Sequence, residues 1–134
     1  MKWLVVSVVA LVGLGVWVRL APSDPARWHM PIKGDKDKDF KAGALRVIAG
    51  DAARFEALDG IIRGTERTQV LAGSVAEGRV SYVTRSKLWG FPDYTTVELR
   101  GDQMAIYGRL RFGRSDLGVN KARISGWLKA LAQG

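Results

Sequence analysis

RSKLWGFPDYTTVELRGDQMAIYGRLRFGRSDLGVN, residues Arg85–Asn120, places a β-hairpin between two polar loops. Apolar and polar residues alternate with a period of two along Tyr94–Arg100 and again along Gln103–Arg111. This alternation predicts two strands that are each buried on one face. Gly101 and Asp102 lie between the runs and suit a two-residue hairpin turn with glycine at its first central position. We therefore predict a hairpin here, with most of the chemistry-bearing side chains in the flanking loops.

The elements on either side of the hairpin follow from the same patterns. The predicted elements are a strand at Ala44–Ala49, a helix from its N-cap Asp51 to about Arg63, strands at Arg67–Ala72 and Arg79–Ser86, and a last helix at Asn120–Ala132. That last helix carries an apolar stripe of Ile124, Trp127, Leu128 and Leu131. The order β-α-β-β-β-β-α, with short turns between consecutive strands, predicts an α+β fold. We expect a two-layer domain in which two helices cover one face of an antiparallel sheet.

The amino terminus contains an apolar segment, Trp3–Val18, with Lys2 before it and Arg19 after it. It is either a cleaved secretory signal or a retained transmembrane helix. Its sixteen residues span about 24 Å as a helix, against about 30 Å for a hydrocarbon layer, and Arg19 can snorkel outward. No A-x-A pattern precedes a cut after Ala21, which favours retention. Lys2 and the α-amine on one side are nearly balanced by Arg19 and Arg27 on the other, but early apolar segments with a short basic N-terminal flank usually leave the amino terminus inside. We therefore predict that the domain lies on the far side of the membrane, which in a bacterium is the periplasmic side of the inner membrane.

The chain is therefore divided into three parts: a membrane anchor helix at residues 1–21, a proline- and charge-rich tether at 22–42, and a single α+β domain at 43–134. The tether has three prolines followed by alternating charges, a composition that opposes helix and cannot bury enough apolar surface to fold alone.

Metal and cofactor sites are not indicated. Asp35, Asp37 and Asp39 have the spacing of a calcium loop, but Phe40 and Arg46 stand where an EF-hand loop needs glycine and glutamate. The chain has no cysteine and one histidine, which excludes thiolate chemistry and leaves no ligand set for zinc or haem. We predict no cofactor.

Positive charge is concentrated in the second half of the chain, which has a formal net charge of +8. Residues 20–78 contain nine Lys or Arg and nine Asp or Glu, whereas residues 79–134 contain ten basic and four acidic residues. Such asymmetry favours an anionic partner: phospholipid head groups, an acidic glycan or nucleic acid. The anchor argues against nucleic acid. The alternative is a solvated basic face that only maintains solubility.

Several short motifs resemble one bacterial family. They are GFPD at Gly90–Asp93, RS at Arg85–Ser86, GRSDLGVN at Gly113–Asn120 and the pair Arg123–Ile124. Together they resemble the family catalogued as domain of unknown function 1499. VRLAPSDPARWH at Val18–His29 is similar to the membrane-proximal stretch of its shorter proteobacterial members. The resemblance implies a small protein, usually membrane-anchored or exported, with no established activity. Many members have a second acidic residue after the loop aspartate, whereas this chain has Tyr94.

The polar loops and the start of the last helix supply a candidate binding cluster. Its eight residues are Arg85, Ser86, Asp93, Arg114, Ser115, Asp116, Asn120 and Arg123. A helix N-terminus with free N–H groups attracts a phosphate or carboxylate, and the arginines add positive charge. The structural alternative is that Asn120 caps the helix, Asp116 caps the preceding turn, and Arg114 pairs with Asp116 or Asp93.

Two function classes remain open. The favoured hypothesis is a non-enzymatic envelope module that binds anionic lipid, glycan or a partner protein. The alternative is a hydrolase that uses Asp93 or Asp116 with Arg114. A Ser–His–carboxylate site is disfavoured because the only histidine, His29, lies in the predicted tether without a rigid neighbour.

Overall fold

The computed structural model describes residues 1–134 and contains four helices and six strands. The helices are α1 Lys2–Leu20, α2 Pro25–Trp28, α3 Ala52–Arg63 and α4 Val119–Gln133. The strands are β1 Lys38–Phe40, β2 Gly43–Ala49, β3 Thr68–Ser74, β4 Arg79–Arg85, β5 Pro92–Arg100 and β6 Gln103–Leu110. Every element predicted between β2 and α4 is present, and the sequence patterns missed α2 and β1.

The strands form one antiparallel sheet in the order β1-β2-β6-β5-β4-β3. The predicted hairpin β5–β6 lies at its centre and pairs in register from Asp93 opposite Leu110 to Arg100 opposite Gln103. Gly101 has φ +60 in the two-residue turn, a conformation that glycine adopts without steric cost. The hairpin prediction is confirmed.

Helices α3 and α4 pack on the first face of the sheet. Asp51 begins α3 by accepting a hydrogen bond from the Arg54 N–H at 2.9 Å. The buried core on this face contains Ala44, Phe55, Leu58, Ile62, Val80, Tyr82, Val97, Met104, Ile106, Ile124, Trp127 and Leu131. The helices bury apolar faces against alternate residues of the central strands, which is the period-two pattern seen in the sequence. The predicted α+β class is confirmed.

The second face of the sheet is covered by part of the segment 22–42, which we predicted to be a tether. The Trp28 ring stacks on Tyr94 with 4.1 Å between centroids. Arginines of the sheet hold the carbonyl groups of this segment: Arg109 donates to the Trp28 carbonyl, and Arg100 donates to those of Ile32 and Gly34. Composition alone does not show this ordering, because the partners lie more than sixty residues away in sequence.

His29 also has a fixed position in this covering segment. Its Nδ1 lies 2.8 Å from the Ser81 hydroxyl, which in turn lies 2.7 Å from the Thr96 hydroxyl. Burial, reinforced by the positive charge of Arg79, lowers the pKa of His29. The expectation that His29 has no rigid neighbour was therefore wrong. Ser81 is fully buried, so the pair connects the segment to the sheet rather than facing a substrate.

Helix α1 is long and apolar enough to cross a membrane, with a mean hydropathy of 2.1. A signal sequence near the amino terminus has the same length and apolar composition. Most of its residues are exposed, but its last turns contact the domain. Val18 is 1% exposed, and Trp17 meets Phe112 edge to face with 5.3 Å between centroids. Arg19 donates to the Leu88 carbonyl at 2.8 Å. The C-terminal end of α1 is therefore fixed against the loop between β4 and β5.

Candidate functional site

Four of the eight predicted site residues form one hydrogen-bonded group, which we call the carboxylate–amide network: Asp93, Asp116, Asn120 and Arg123. The Asn120 amide nitrogen donates to Asp116 Oδ2 at 3.0 Å and to Asp93 Oδ2 at 3.3 Å. The Arg123 guanidinium donates to Asp93 Oδ2 and to Asn120 Oδ1, each at 3.0 Å. The network therefore connects β5, the loop before α4, and the first turns of α4.

Asp116, rather than Asn120, accepts hydrogen bonds from the backbone N–H groups at the start of α4. Its carboxylate accepts hydrogen bonds from the N–H groups of Gly118 and Asn120, each at 3.0 Å. The expectation that Asn120 caps this helix was therefore wrong, since Asn120 lies inside α4 and is fully buried. Asn120 can approach the sheet because Gly108 has no side chain: a Cβ at Gly108 would lie 2.8 Å from Asn120 Oδ1. The chain's own carboxylate thus uses N–H groups that an external anion would need.

The pKa values of the two aspartates of the network are shifted in opposite directions. Burial raises the pKa of Asp93, an effect opposed by the hydrogen bond and charge of Arg123 and reinforced by the negative charge of Asp116. Burial alone would raise the pKa of Asp116, but the hydrogen bonds from Asn120 and Gly118 outweigh it and lower that pKa. Opposite shifts in neighbouring carboxyl groups are a feature of acid–base sites, but they also arise in structural networks of this kind.

The other four predicted residues are used locally or stand alone. Arg85 donates to the Gly90 carbonyl at 2.9 Å, and the Ser86 hydroxyl accepts from the Phe91 N–H at 2.9 Å. The Ser115 hydroxyl accepts from the Leu117 N–H at 3.3 Å. Arg114 is exposed and forms no side-chain hydrogen bond or ion pair, so the predicted pairing of Arg114 with Asp116 or Asp93 was wrong.

A cavity of about 220 Å³ lies beside the network. Five of the eight predicted residues line it: Ser86, Asp93, Ser115, Asp116 and Arg123. No group of three or more His, Cys, Asp or Glu side chains that could hold a metal ion is formed. Because Asp93 and Asp116 are engaged by Asn120 and Arg123, and Arg114 does not reach either of them, the geometry favours the structural alternative.

A larger cavity, of about 790 Å³, lies between the end of α1 and the strands β3 and β4. Four basic side chains line it, and no Asp or Glu does. We call it the basic cleft and define it by Arg19, Arg67, Arg85 and Lys87. Ser23, Thr68 and Ser86 add hydroxyl groups to its lining.

Most of the charge in the basic cleft lacks a carboxylate partner. Arg67 pairs with the exposed Glu66 at 3.2 Å, but Arg19, Arg85 and Lys87 form no ion pair. Arg19 and Arg85 are instead positioned by backbone carbonyls of the loop between β4 and β5. Charge counting predicted a basic second half, but it could not find this cleft, since Arg19 and Arg67 come from the part of the chain before residue 79.

The fold and these two sites define a small α+β protein with an open six-stranded antiparallel sheet, an apolar N-terminal helix and a cleft lined by basic side chains. The chain belongs to the family described as Protein of unknown function (DUF1499), which matches residues 18–131. The resemblance inferred from the loop motifs is therefore confirmed. A search of curated proteins finds no match to the chain.

Proposed function

We propose that this chain is a single-pass protein of the bacterial inner membrane, with α1 retained and the α+β domain in the periplasm, and that its domain is a non-enzymatic module that binds an anionic group. The basic cleft is the observation that carries this proposal, because four positive side chains and no carboxylate line this one cavity. Its ligand is a phosphate or carboxylate, presented by a lipid head group or an acidic glycan.

The electrostatics of the basic cleft support this assignment. Like charges around one cavity repel each other, and a bound anion relieves that repulsion. Arginine guanidinium groups offer paired N–H donors that match phosphate and carboxylate oxygens. Arg19 also places the cleft at the end of α1, which is where the head groups of a bilayer lie if α1 spans it.

The binding experiment uses the full chain in a zwitterionic detergent. The probes are inorganic phosphate, a short-chain phosphatidylglycerol, the matching phosphatidylcholine and a uronic-acid oligosaccharide, titrated by calorimetry. The double variant Arg85→Gln, Lys87→Gln removes two cleft charges. The control Arg54→Gln, Lys129→Gln removes the same charge from exposed positions outside the cleft.

We expect one of the anionic probes to bind, phosphatidylcholine not to bind, and the cleft variant to lose about tenfold in affinity, which corresponds to roughly 1.4 kcal/mol. The control variant should bind as the unmodified chain does. Binding by phosphatidylglycerol without inorganic phosphate would identify a lipid, whereas binding by the oligosaccharide alone would identify a glycan. Equal binding by the cleft variant and the control, or no binding by any anion, would refute the proposal.

Retention of α1 is measured separately, by the intact mass of the protein extracted from membranes. The expected mass includes residues 1–21. A mature chain that begins near Pro22 would show that the leader is removed and that the domain is not anchored in this way.

A further inference from the structure

We infer that the domain does not stand clear of the bilayer but inserts two apolar loops into its interfacial layer, beside α1. What we call the membrane rim consists of Leu88 and Trp89 in the loop between β4 and β5, Leu117 in the loop before α4, and Val119, the first residue of α4. The inference rests on the proposed retention of α1, but it does not depend on anion binding by the basic cleft.

Exposed apolar residues of the domain are concentrated in the rim. In the chain after α1, six large apolar side chains are exposed, and four of them are rim residues. Leu88 is 74% exposed and Leu117 is 91% exposed. Concentration of large exposed apolar side chains marks an interaction surface, whereas isolated ones are ordinary.

Trp89 of the rim packs against the part of α1 that lies near the bilayer surface if α1 spans the membrane. A Cβ built on Gly15 would be 3.4 Å from the Trp89 ring, so Trp89 packs one turn before the end of the helix. Trp17, in the same part of α1, contacts Phe112 in the loop that leads to Leu117. A 19-residue helix is about 28 Å long, close to the ~30 Å hydrocarbon thickness, so the level of Gly15 falls roughly 7 Å inside its C-terminal end. This depth is within the about 5–10 Å to which interfacial apolar groups insert beyond the head groups.

The backbone at Leu117 supports a role beyond packing. Leu117 adopts φ +53, a left-handed conformation that is unfavourable for a bulky residue, while its side chain is almost fully exposed. In water this arrangement combines backbone strain with an unburied apolar group. Contact with lipid would remove this apolar side chain from water, which is favourable.

Basic side chains surround the rim in a way that fits a lipid surface. Lys87 precedes Leu88, Arg114 lies three residues before Leu117, and both are exposed. Long basic side chains next to inserted apolar residues can keep their charge among the head groups while their stems lie along the apolar layer. We therefore assign the bilayer that holds α1 as the partner of this surface, rather than another protein.

The experiment uses the absence of cysteine from the chain. Single substitutions Leu88→Cys, Leu117→Cys, Asp102→Cys and Val9→Cys are labelled with an environment-sensitive nitrobenzoxadiazole probe. Each full-length protein is reconstituted into phosphatidylcholine vesicles with and without a doxyl-labelled lipid. All four positions are exposed, so the substitutions remove no core packing. Asp102 is the matched control on the domain, since the nine residues of β5 place its turn about 26 Å from the rim end of the strand.

We expect blue-shifted emission at positions 88 and 117, and quenching there about twofold stronger than at position 102, because only the rim reaches the lipid. The probe at position 9 reports on α1 itself. Strong quenching at 9 together with identical, weak quenching at 88, 117 and 102 would overturn the inference and leave the anchor intact. Weak quenching at all four positions would overturn both the insertion of the rim and the membrane anchoring of α1. Neutral lipid is used so that failure of the basic cleft to bind anions cannot produce either result.

Discussion

Replacement of Trp127 by alanine is expected to remove a large part of the domain's stability. Trp127 is 6% exposed and belongs to the core between α3, α4 and the sheet. Its indole N–H also donates to the Thr65 hydroxyl at 2.9 Å, which connects α4 to the end of α3. Truncation of a buried tryptophan to alanine costs about 3–5 kcal/mol, against about 5–15 kcal/mol for the total stability of a domain.

Two further variants separate the contributions to this loss. Trp127→Phe keeps most of the ring volume and removes the hydrogen bond, so we expect a loss of about 1–2 kcal/mol. Thr65 keeps its own bond to the Ile61 carbonyl, so the substitution strands no buried donor. Leu128 lies on the same apolar stripe but is only partly buried, and Leu128→Ala should cost less than Trp127→Ala.

The assay is thermal unfolding of the full chain in detergent, followed by near-ultraviolet and far-ultraviolet circular dichroism. A loss near 4 kcal/mol lowers the Tm of a domain of this size by roughly 16–32 °C. The expected order of Tm is unmodified chain, Trp127→Phe, Trp127→Ala. An unchanged Tm in Trp127→Ala, or a larger loss in Leu128→Ala, would show that α4 does not pack on the sheet as described.

Two other predictions concern backbone freedom and pH. Gly60→Ala should stabilise the domain by about 0.5–1 kcal/mol, because Gly60 lies in α3 and nothing is within 4 Å of an added Cβ. Gly108→Ala should destabilise the domain, because its Cβ would contact Asn120. The midpoints of urea unfolding test both predictions. The pKa of His29 should lie below its ordinary value of 6.5, because burial and the charge of Arg79 disfavour the charged form. The stabilising contribution of neutral His29 is therefore present above pH 6.5 and is lost as the pH falls through the lower pKa of the folded state. The histidine resonance in NMR measures that pKa directly, and His29→Gln should flatten the pH dependence of unfolding in this window.

Local patterns were sufficient to predict the central fold. The hairpin from Tyr94 to Arg111 could be found because its alternation and its Gly101-Asp102 turn are properties of adjacent residues. The two helices of the domain could be found because their apolar positions recur at helical spacing and Asp51 and Gly64 stand at the ends of the first. Such signals need no knowledge of distant partners.

The covering segment and the basic cleft depend on contacts that are distant in sequence. Segment 22–42 has the composition of an unfolded linker, and it is ordered because Tyr94, Arg100 and Arg109 supply a ring and guanidinium groups to it. At the candidate site, four of the eight predicted residues come together, but the sequence did not predict that Asn120 is an interior bridge between two carboxylates. That role follows from the bare backbone of Gly108 on the neighbouring strand.

The packing of residues 22–33 on the sheet limits how far the domain can travel. A freely flexible linker of 21 residues has a root-mean-square span of roughly 25 Å, which would let a domain search a hemisphere around its anchor. Here Arg19 and Trp28 each contact the domain directly, so only a few residues between the end of α1 and the sheet are free to act as a flexible linker. With α1 in a membrane, the domain would keep one height and one tilt above the lipid, and a ligand would have to come to it.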